Sequence, residues 1–395
     1  MQLICLADGP LLAETRKLGI EATLLPLPQR ITNLGESGLK GNKLIQMLSL
    51  GTRLAAASPA ALAYAKQFRR AIQDASPDII HSNGVKSHLL TRTLPRNSGK
   101  IVWHIHDLLG GRALLSKVLH RAAGRVAGAI AISQAVATDL KTVLPRTPVF
   151  PILNAIDTNH YSPATEAPLT PGQSVPAPPR ILAAQSRTID LDQLSALPPA
   201  PPETVRVGLV ATYARWKGQD IFQNAIAKLP ASMPPARFYI IGGSIYHTAG
   251  SQFSREELQA RATTLGIADK LGFIGFQSDP LAIYRALDVM VHASSKPEPF
   301  GRTIIEAMSC GKAVIISNAG GAAELFTQGV DALGVAPGDA DGMANAIEKL
   351  VTNPSLRNSI AQAARTTALT RFGLDRFGRE FLAAYQKILS ANPTK

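Results

Sequence analysis

The sequence predicts an α/β protein made of two Rossmann-like domains, with parallel sheets facing a central cleft. Three observations carry this. The chain of 395 residues is too long for one ordinary core and suits two domains of roughly 150–200 residues. Short apolar runs alternate with amphipathic stretches through both halves, as strand–helix–strand units do when their crossovers keep the strands parallel. A proline-rich stretch breaks the alternation once, near the middle.

The strand pattern falls in the first half at residues 3–6, 22–27, 78–82, 101–106, 127–132 and 149–153, with helical patterns at 60–75, 114–124 and 134–144. Residues 163–202 hold ten prolines, which excludes a central strand and predicts a linker with an inserted loop rather than regular helix. The alternation then resumes. Strands are expected at 206–211, 237–241, 271–274, 289–292 and 313–317, and helices at 219–229, 255–265 and 303–309. From residue 341 on the pattern is mostly helical. The expected organisation is a first domain over 1–162, a linker over 163–204, a second domain over 205–375 and a last helix, 376–395, returning toward the first domain.

Composition excludes several classes. Apolar residues at 46% and charged residues at 17% exclude a disordered chain, and the glycines show no collagen period. No apolar run approaches the ~20 residues that cross a bilayer, and the N-terminus has no signal pattern. Two cysteines, Cys5 and Cys310, cannot by themselves make a disulfide framework or a metal site. A cytoplasmic setting is expected.

Charge is unevenly spread. Lys and Arg number 41 against 28 acidic residues, a net of +13. Residues 1–165 hold 19 basic and 9 acidic side chains, whereas 166–395 hold 22 and 19. A basic half fits nucleic acid, an anionic membrane face, an anionic substrate or a solvated surface with no partner. No zinc spacing, aromatic RNA-binding motif or long basic run is present, so no nucleic acid is expected.

The most informative segment runs from Ser294 through Lys296-Pro297-Glu298-Pro299-Phe300-Gly301-Arg302-Thr303 to Glu306-Ala307-Met308. A strand leads into a loop with a carboxylate, and a helix follows with a second carboxylate eight residues on. Free backbone N–H groups where the helix starts, near Gly301 and Arg302, attract anions, and Gly301 lets a phosphate approach the backbone. Glu298 and Glu306 can accept hydrogen bonds from sugar hydroxyls. Two glutamates at this spacing are common by themselves, as a loop acid and a solvated helix face.

Glu298-x7-Glu306, inside Glu-Pro-Phe-Gly and followed by Glu-Ala-Met-x-x-Gly-Lys, resembles the signature of glycosyltransferase family 4, retaining enzymes of the GT-B fold. Similar stretches run along most of the chain: Val207-Gly208-Leu209-Val210, Lys217-Gly218-Gln219-Asp220, Ile240-Ile241-Gly242-Gly243, Phe273-Ile274-Gly275-Phe276, Pro77-Asp78-Ile79-Ile80-His81, Ala131-Ile132-Ser133 and Ile152-Leu153-Asn154. The resemblance implies a nucleotide-diphosphate sugar as donor and a glycan or lipid-linked acceptor of cell-surface polysaccharide or lipopolysaccharide synthesis. The enzyme would sit in the cytoplasm, peripheral on the inner face of an anionic membrane. Lys217 and the helix starting at Gly301, with Phe300, Arg302 and Thr303, would hold the diphosphate. Glu298 would hold the sugar, Glu306 the ribose and the stretch ending at Phe276 the base. His106, in His104-Ile105-His106-Asp107, matches the family's acceptor-side histidine, whereas His81 and His104 read as structural.

No cofactor or metal is expected. Asp190-Leu191-Asp192 and Asp339-Ala340-Asp341 are the only triplets that could suggest a metal clamp; both read as structural, the latter as a helix cap. Two departures stand out. Thr212 occupies the place of the family's diphosphate arginine, for which Arg215 is the candidate substitute. The segment from Met1 resembles the family's second strand–helix unit, so the expected first strand and its Gly-rich loop have no counterpart, and an upstream start is expected. A catalytically impaired nucleotide-sugar-binding or scaffold protein of the same fold is the rival reading; an epimerase or phosphorylase is weaker, for want of other cleft acids and of a pyridoxal lysine.

Overall fold

The computed structural model describes residues 1–29, 43–164, 189–244 and 250–391, without side chains for 43–58. The chain forms two compact units. One comprises Met1–Ala131, Ala137–Phe150 and Ala383–Lys395, the other Ile132–Val136 and Pro151–Leu382.

The first unit follows β1 (Gln2–Cys5), α1 (Pro10–Lys17), β2 (Glu21–Leu24), α2 (Lys43–Ala75), β3 (Ile79–Asn83), α3 (Val85–Thr91), β4 (Lys100–Ile105), α4 (Ala113–Ala122), β5 (Val126–Ala131), α5 (Gln134–Val143) and β6 (Val149–Pro151). Its strands make two sheets, a parallel pair β1-β2 and a four-stranded sheet ordered β3-β4-β5-β6. β4 is buried from Ile101 to Ile105, as a central strand covered on both faces must be. Trp103 at its middle is fully buried and donates its indole N–H to Thr91 Oγ1 at 3.1 Å. α2 begins well before the expected residue 60 and carries Pro59 inside it. An interior proline removes one i→i−4 hydrogen bond and its ring crowds the carbonyl four residues back, so the residue reads as a boundary, although a helix of this length includes one here.

The second unit opens with α6 (Leu191–Ser195) and continues through β7 (Val205–Val210), α7 (Gln219–Ala227), β8 (Ala236–Ile241), α8 (Arg255–Thr264), β9 (Leu271–Ile274), α9 (Leu281–Ala286), β10 (Val289–His292), α10 (Arg302–Ser309), β11 (Ala313–Ser317), β12 (Leu333–Val335), α11 (Ala340–Thr352), α12 (Pro354–Arg371) and α13 (Leu374–Ser390). The last turns of α13 belong to the first unit. Its six strands run β12-β11-β10-β7-β8-β9, and every neighbouring pair is parallel. The order reverses between β7 and β10. Chains leaving the carboxyl ends of these two strands turn to opposite sides and leave a crevice, the usual ligand position of an open α/β sheet.

The linker reading needs correction. Within 163–202, residues 165–188 lie outside the described residues, but α6 is regular helix. Asp190 caps it by accepting from the N–H groups of Asp192 and Gln193, and no proline falls between Arg180 and Leu197, so the helix fits in the proline-free gap. Asp192 is structural, as expected. It is 1% exposed, pairs with Arg206 Nη2 at 3.0 Å and accepts from the Tyr239 hydroxyl at 2.6 Å. Asp339 likewise caps α11, accepting from Gly342 N at 2.8 Å. Elements that periodicity did not show are α3, α6, α9 and β12, each too short to display a period.

Removing the carboxylate of Asp192 would strand the buried Arg206 guanidinium without its counter-ion. We expect Asp192→Ala to destabilise the second unit by about 3–5 kcal/mol. Urea unfolding measures it; a loss below about 1 kcal/mol would show that the ion pair is not a structural anchor.

Candidate active site

Each strand bordering the crevice contributes one charged residue through the loop at its end. After β7 the chain forms a 3-10 turn, Arg215–Lys217, that ends at Gly218 with φ +77°. A β-carbon on Gly218 would lie 1.9 Å from the carbonyl oxygen of Ala293, so only glycine lets this turn lie against the end of β10. Ser295 N donates to Trp216 O at 2.8 Å and ties the two loops together. The Lys217 ammonium lies over the Trp216 ring, 4.1 Å from its centroid.

After β10 comes Glu298, held by its main chain. Gly321 N donates to Glu298 O at 2.7 Å, and Gly320 at φ +67° leaves room for that approach, since a β-carbon there would lie 2.4 Å from the same oxygen. The carboxylate, on a residue 7% exposed, is densely hydrogen-bonded. Lys217 Nζ donates at 3.0 Å to Oε1 and 2.7 Å to Oε2, and Ser294 Oγ donates to Oε2 at 2.9 Å. His292 Nε2 stands 3.2 Å from the same oxygen. Burial alone would raise the Glu298 pKa; the His292 hydrogen bond and the Lys217 charge outweigh it and hold the group at about 2. Glu298 is thus an ionised, buried carboxylate with a lysine directly on it.

α10 starts at Gly301, φ +107°, with no side chain capping it, and so offers uncapped N–H groups at its first turn beside Arg302 and Thr303. Glu306 is 4% exposed. It accepts from the Tyr284 hydroxyl at 2.8 Å and from Arg302 Nη2 at 3.1 Å. Burial raises its pKa, and these two partners offset part of that rise.

Two expected ligand residues, Arg215 and Phe300, have side chains engaged elsewhere. Arg215 is engaged with Glu257 at 2.8 Å and stacks over Phe253 at 4.3 Å, because its guanidinium reaches the capping box of α8. Phe300 is a core residue, 2% exposed and edge-on to Phe372, so only its backbone is available to a ligand. Phe276 lies beyond β9 and is 59% exposed. His292, Ser294 and Tyr284 were not foreseen. The first two were legible in principle: two apart at the end of a strand, they share a face just ahead of Glu298.

In the first unit His106 lines a small cavity of about 70 Å³ with Gly84, His88, His104, Leu109 and Leu119. Its Nε2 is buried without a hydrogen-bond partner among the described residues, and burial lowers its pKa despite the opposing charge of Asp107. The neighbouring histidines make contacts within the first unit. His81 accepts or donates at 2.7 Å with the Tyr385 hydroxyl, His88 stacks on Trp103 at 4.9 Å and His104 packs 4.2 Å from His106. Burial is the main cause that lowers His81 and His88 to about 4 and His104 to about 2.

A six-stranded parallel unit carries a lysine and two acids at its switch point, and the other unit is also built on parallel strands; two such α/β units are the architecture of the GT-B class. Comparison with known proteins agrees. The family model described as glycosyl transferases group 1 matches residues 196–367, and that described as Glycosyltransferase Family 4 matches residues 11–160. Together they span most of the chain, which belongs to this family of glycosyltransferases. The chain is 30% identical over 194 residues to the lipopolysaccharide core biosynthesis glycosyltransferase LpsE of Rhizobium meliloti (strain 1021), covering 49% of this chain and 52% of LpsE. It is 29% identical over 207 residues to the lipopolysaccharide core biosynthesis mannosyltransferase LpcC of Rhizobium leguminosarum bv. viciae, covering 49% and 57%. The matches therefore span about half the length of these relatives. The crystal structure of Anabaena Alr3699/HepE in complex with UDP superposes with a TM-score of 0.72 at 24% identity, over 97% of this chain and 91% of that one.

The two units should differ in their response to acid. His81 and His88, near 4 against an ordinary 6.5, bind protons in the unfolded chain first, so the stability present above pH 6.5 is lost as pH falls toward 4. Glu298, near 2 against 4.5, contributes stability present above pH 4.5 and lost as pH falls toward 2. Hydrogen exchange, corrected for intrinsic rate, should therefore rise in β3 and β4 between pH 6.5 and 4 while the Glu298 loop stays protected. The reverse order would contradict both assignments.

Proposed function

We propose that this glycosyltransferase is a retaining enzyme that moves a hexosyl group from a nucleotide-diphosphate sugar to a glycan or lipid-linked acceptor in lipopolysaccharide or related cell-surface polysaccharide synthesis. The observation that carries it is the contact of Lys217 with Glu298 at the β7/β10 switch point. Breaking the bond from sugar to phosphate builds negative charge on the leaving diphosphate. Lys217, on turning from Glu298, and the uncapped start of α10 are donors placed to meet that charge. Glu298 takes the sugar hydroxyls, Glu306 the ribose, and His106 belongs to the acceptor side. The roles of LpsE and LpcC in lipopolysaccharide core biosynthesis support the pathway, and the UDP and UDP-glucose complexes of HepE support the donor class.

We propose further that no metal assists, the diphosphate being neutralised by protein groups. Lys217→Ala should lower kcat by about 10²–10³-fold, the effect of removing one such donor. Glu298→Ala should abolish transfer with the fold intact. Product formation from labelled donor measures both, and chelation with EDTA should leave the wild type active. Activity retained in both variants would refute the assignment. The rival reading, a binding protein without turnover, is favoured by Thr212 in place of an arginine and by the Arg215–Glu257 pair. Donor binding with neither transfer nor donor hydrolysis would establish it.

The acceptor is anionic or membrane-borne on this reading, and the enzyme peripheral on the cytoplasmic face. No helix among the described residues is long and apolar enough to cross a membrane. α4 has no acidic residue and exposes Leu114 and Val118 with Lys117 and Arg121. At ~1 kcal/mol per cation near an anionic surface, the Lys117→Ala/Arg121→Ala double variant should bind vesicles containing phosphatidylglycerol about 30-fold more weakly. Vesicle flotation tests this, and unchanged binding would dismiss α4 as the contact.

A further inference from the structure

The donor site proposed above requires Glu298 to keep one orientation while its lysine leaves it for the diphosphate. We propose that His292 and Ser294 are positioning residues that fix Glu298 Oε2, leaving Oε1 as the oxygen that accepts a hydroxyl of the donor sugar. The inference rests on the donor reading and adds to it the atoms that hold the carboxylate.

The two oxygens are unequally occupied. Oε2 receives Lys217 at 2.7 Å and Ser294 at 2.9 Å, and lies 3.2 Å from His292 Nε2. Oε1 receives Lys217 alone, at 3.0 Å, among the described residues. When Lys217 turns to a diphosphate, Oε2 keeps two donors and Oε1 is left open.

The network also fixes the histidine tautomer. Ser294 has one hydroxyl proton, which goes to Oε2, so its oxygen, 3.1 Å from His292 Nε2, must accept. Nε2 therefore carries a proton, shared between Ser294 Oγ and Glu298 Oε2. The other ring nitrogen, Nδ1, is buried with no hydrogen-bond partner among the described residues, so the ring's polar engagement there is on the Glu298 side.

The support beneath is rigid. His292 ends β10, a strand buried along its whole length between β7 and β11. Ser294 is 1% exposed, and its carbonyl accepts from Ser317 Oγ at 2.7 Å. Ser294 lies two residues past the end of β10, yet both side chains meet the same carboxylate oxygen, and neither anchor depends on Lys217.

The test compares ligands that differ only by the sugar. Calorimetry on the full chain uses UDP against UDP-glucose and GDP against GDP-mannose. Ser294→Ala, which removes only a hydroxyl, should weaken the sugar nucleotide about tenfold, the low end for a hydrogen bond to a charged group, with the plain diphosphate within twofold. His292→Leu should act likewise. His292→Gln, which can place an N–H near Nε2, should restore most of the sugar-nucleotide affinity. Melting curves confirm that each variant is folded. An equal fall for both ligands in Ser294→Ala would reduce the pair to a structural role, and an unchanged sugar-nucleotide affinity would overturn the inference while leaving the donor reading intact. Failure of the wild type to bind any of the four nucleotides would overturn the donor reading and this inference with it.

Discussion

The second unit is organised around a buried negative charge. Taking a carboxylate out of water is expensive unless it is paired and hydrogen-bonded. Glu298 meets that condition through an ammonium, a serine hydroxyl and an imidazole, each from a fixed position. Two glycines make the positions possible. Gly218 lets the lysine-bearing turn press on the end of β10, and Gly320 lets the backbone beside Glu298 close on the next loop. A side chain at either place would push the loops apart and leave the carboxylate without its partners.

This arrangement explains how the protein tolerates a charged site. Lys217 and Glu298 neutralise each other, and the indole beneath Lys217 adds a cation–π contact. On the proposed donor reading a diphosphate would offer the lysine a stronger partner, and binding would exchange one ion pair for another. The net gain is smaller than the new contact alone, because the old one is given up. In the same way the Glu306 carboxylate, already hydrogen-bonded to Tyr284 and Arg302, is held in place before any ribose arrives.

Sequence reading reached the regular parts of this fold and the charged parts of the site. Strands 271–274, 289–292 and 313–317 coincide with β9, β10 and β11, since a short, mainly apolar run between turn signals, buried on both faces, has few other solutions. Lys217, Glu298 and Glu306 were legible because motif and strand–loop–helix context agree. Arg215 and Phe300 show the limit. Both stand in the right stretch of chain, but whether a guanidinium reaches a ligand or Glu257 depends on α8, a distant element in sequence. A phenylalanine two residues before a helix gives no sign of whether it packs outward or on Phe372. α6 was hidden by the composition around it, as prolines on both sides masked a single capped helix.

Net charge was the weakest guide to the site. The basic surplus lies in the first half, while the candidate diphosphate site lies in the second, which is nearly balanced. The two facts are compatible because they act over different distances. A surplus spread over a surface acts through solvent and is screened within ~10 Å at moderate salt, so it can favour an anionic surface or acceptor without defining a binding geometry. One lysine and the first turn of one helix act at contact distance inside a crevice, where screening is weak and direction is fixed. The overall charge therefore describes how the protein meets its surroundings, and the few fixed donors at the β7/β10 switch point describe what it can hold.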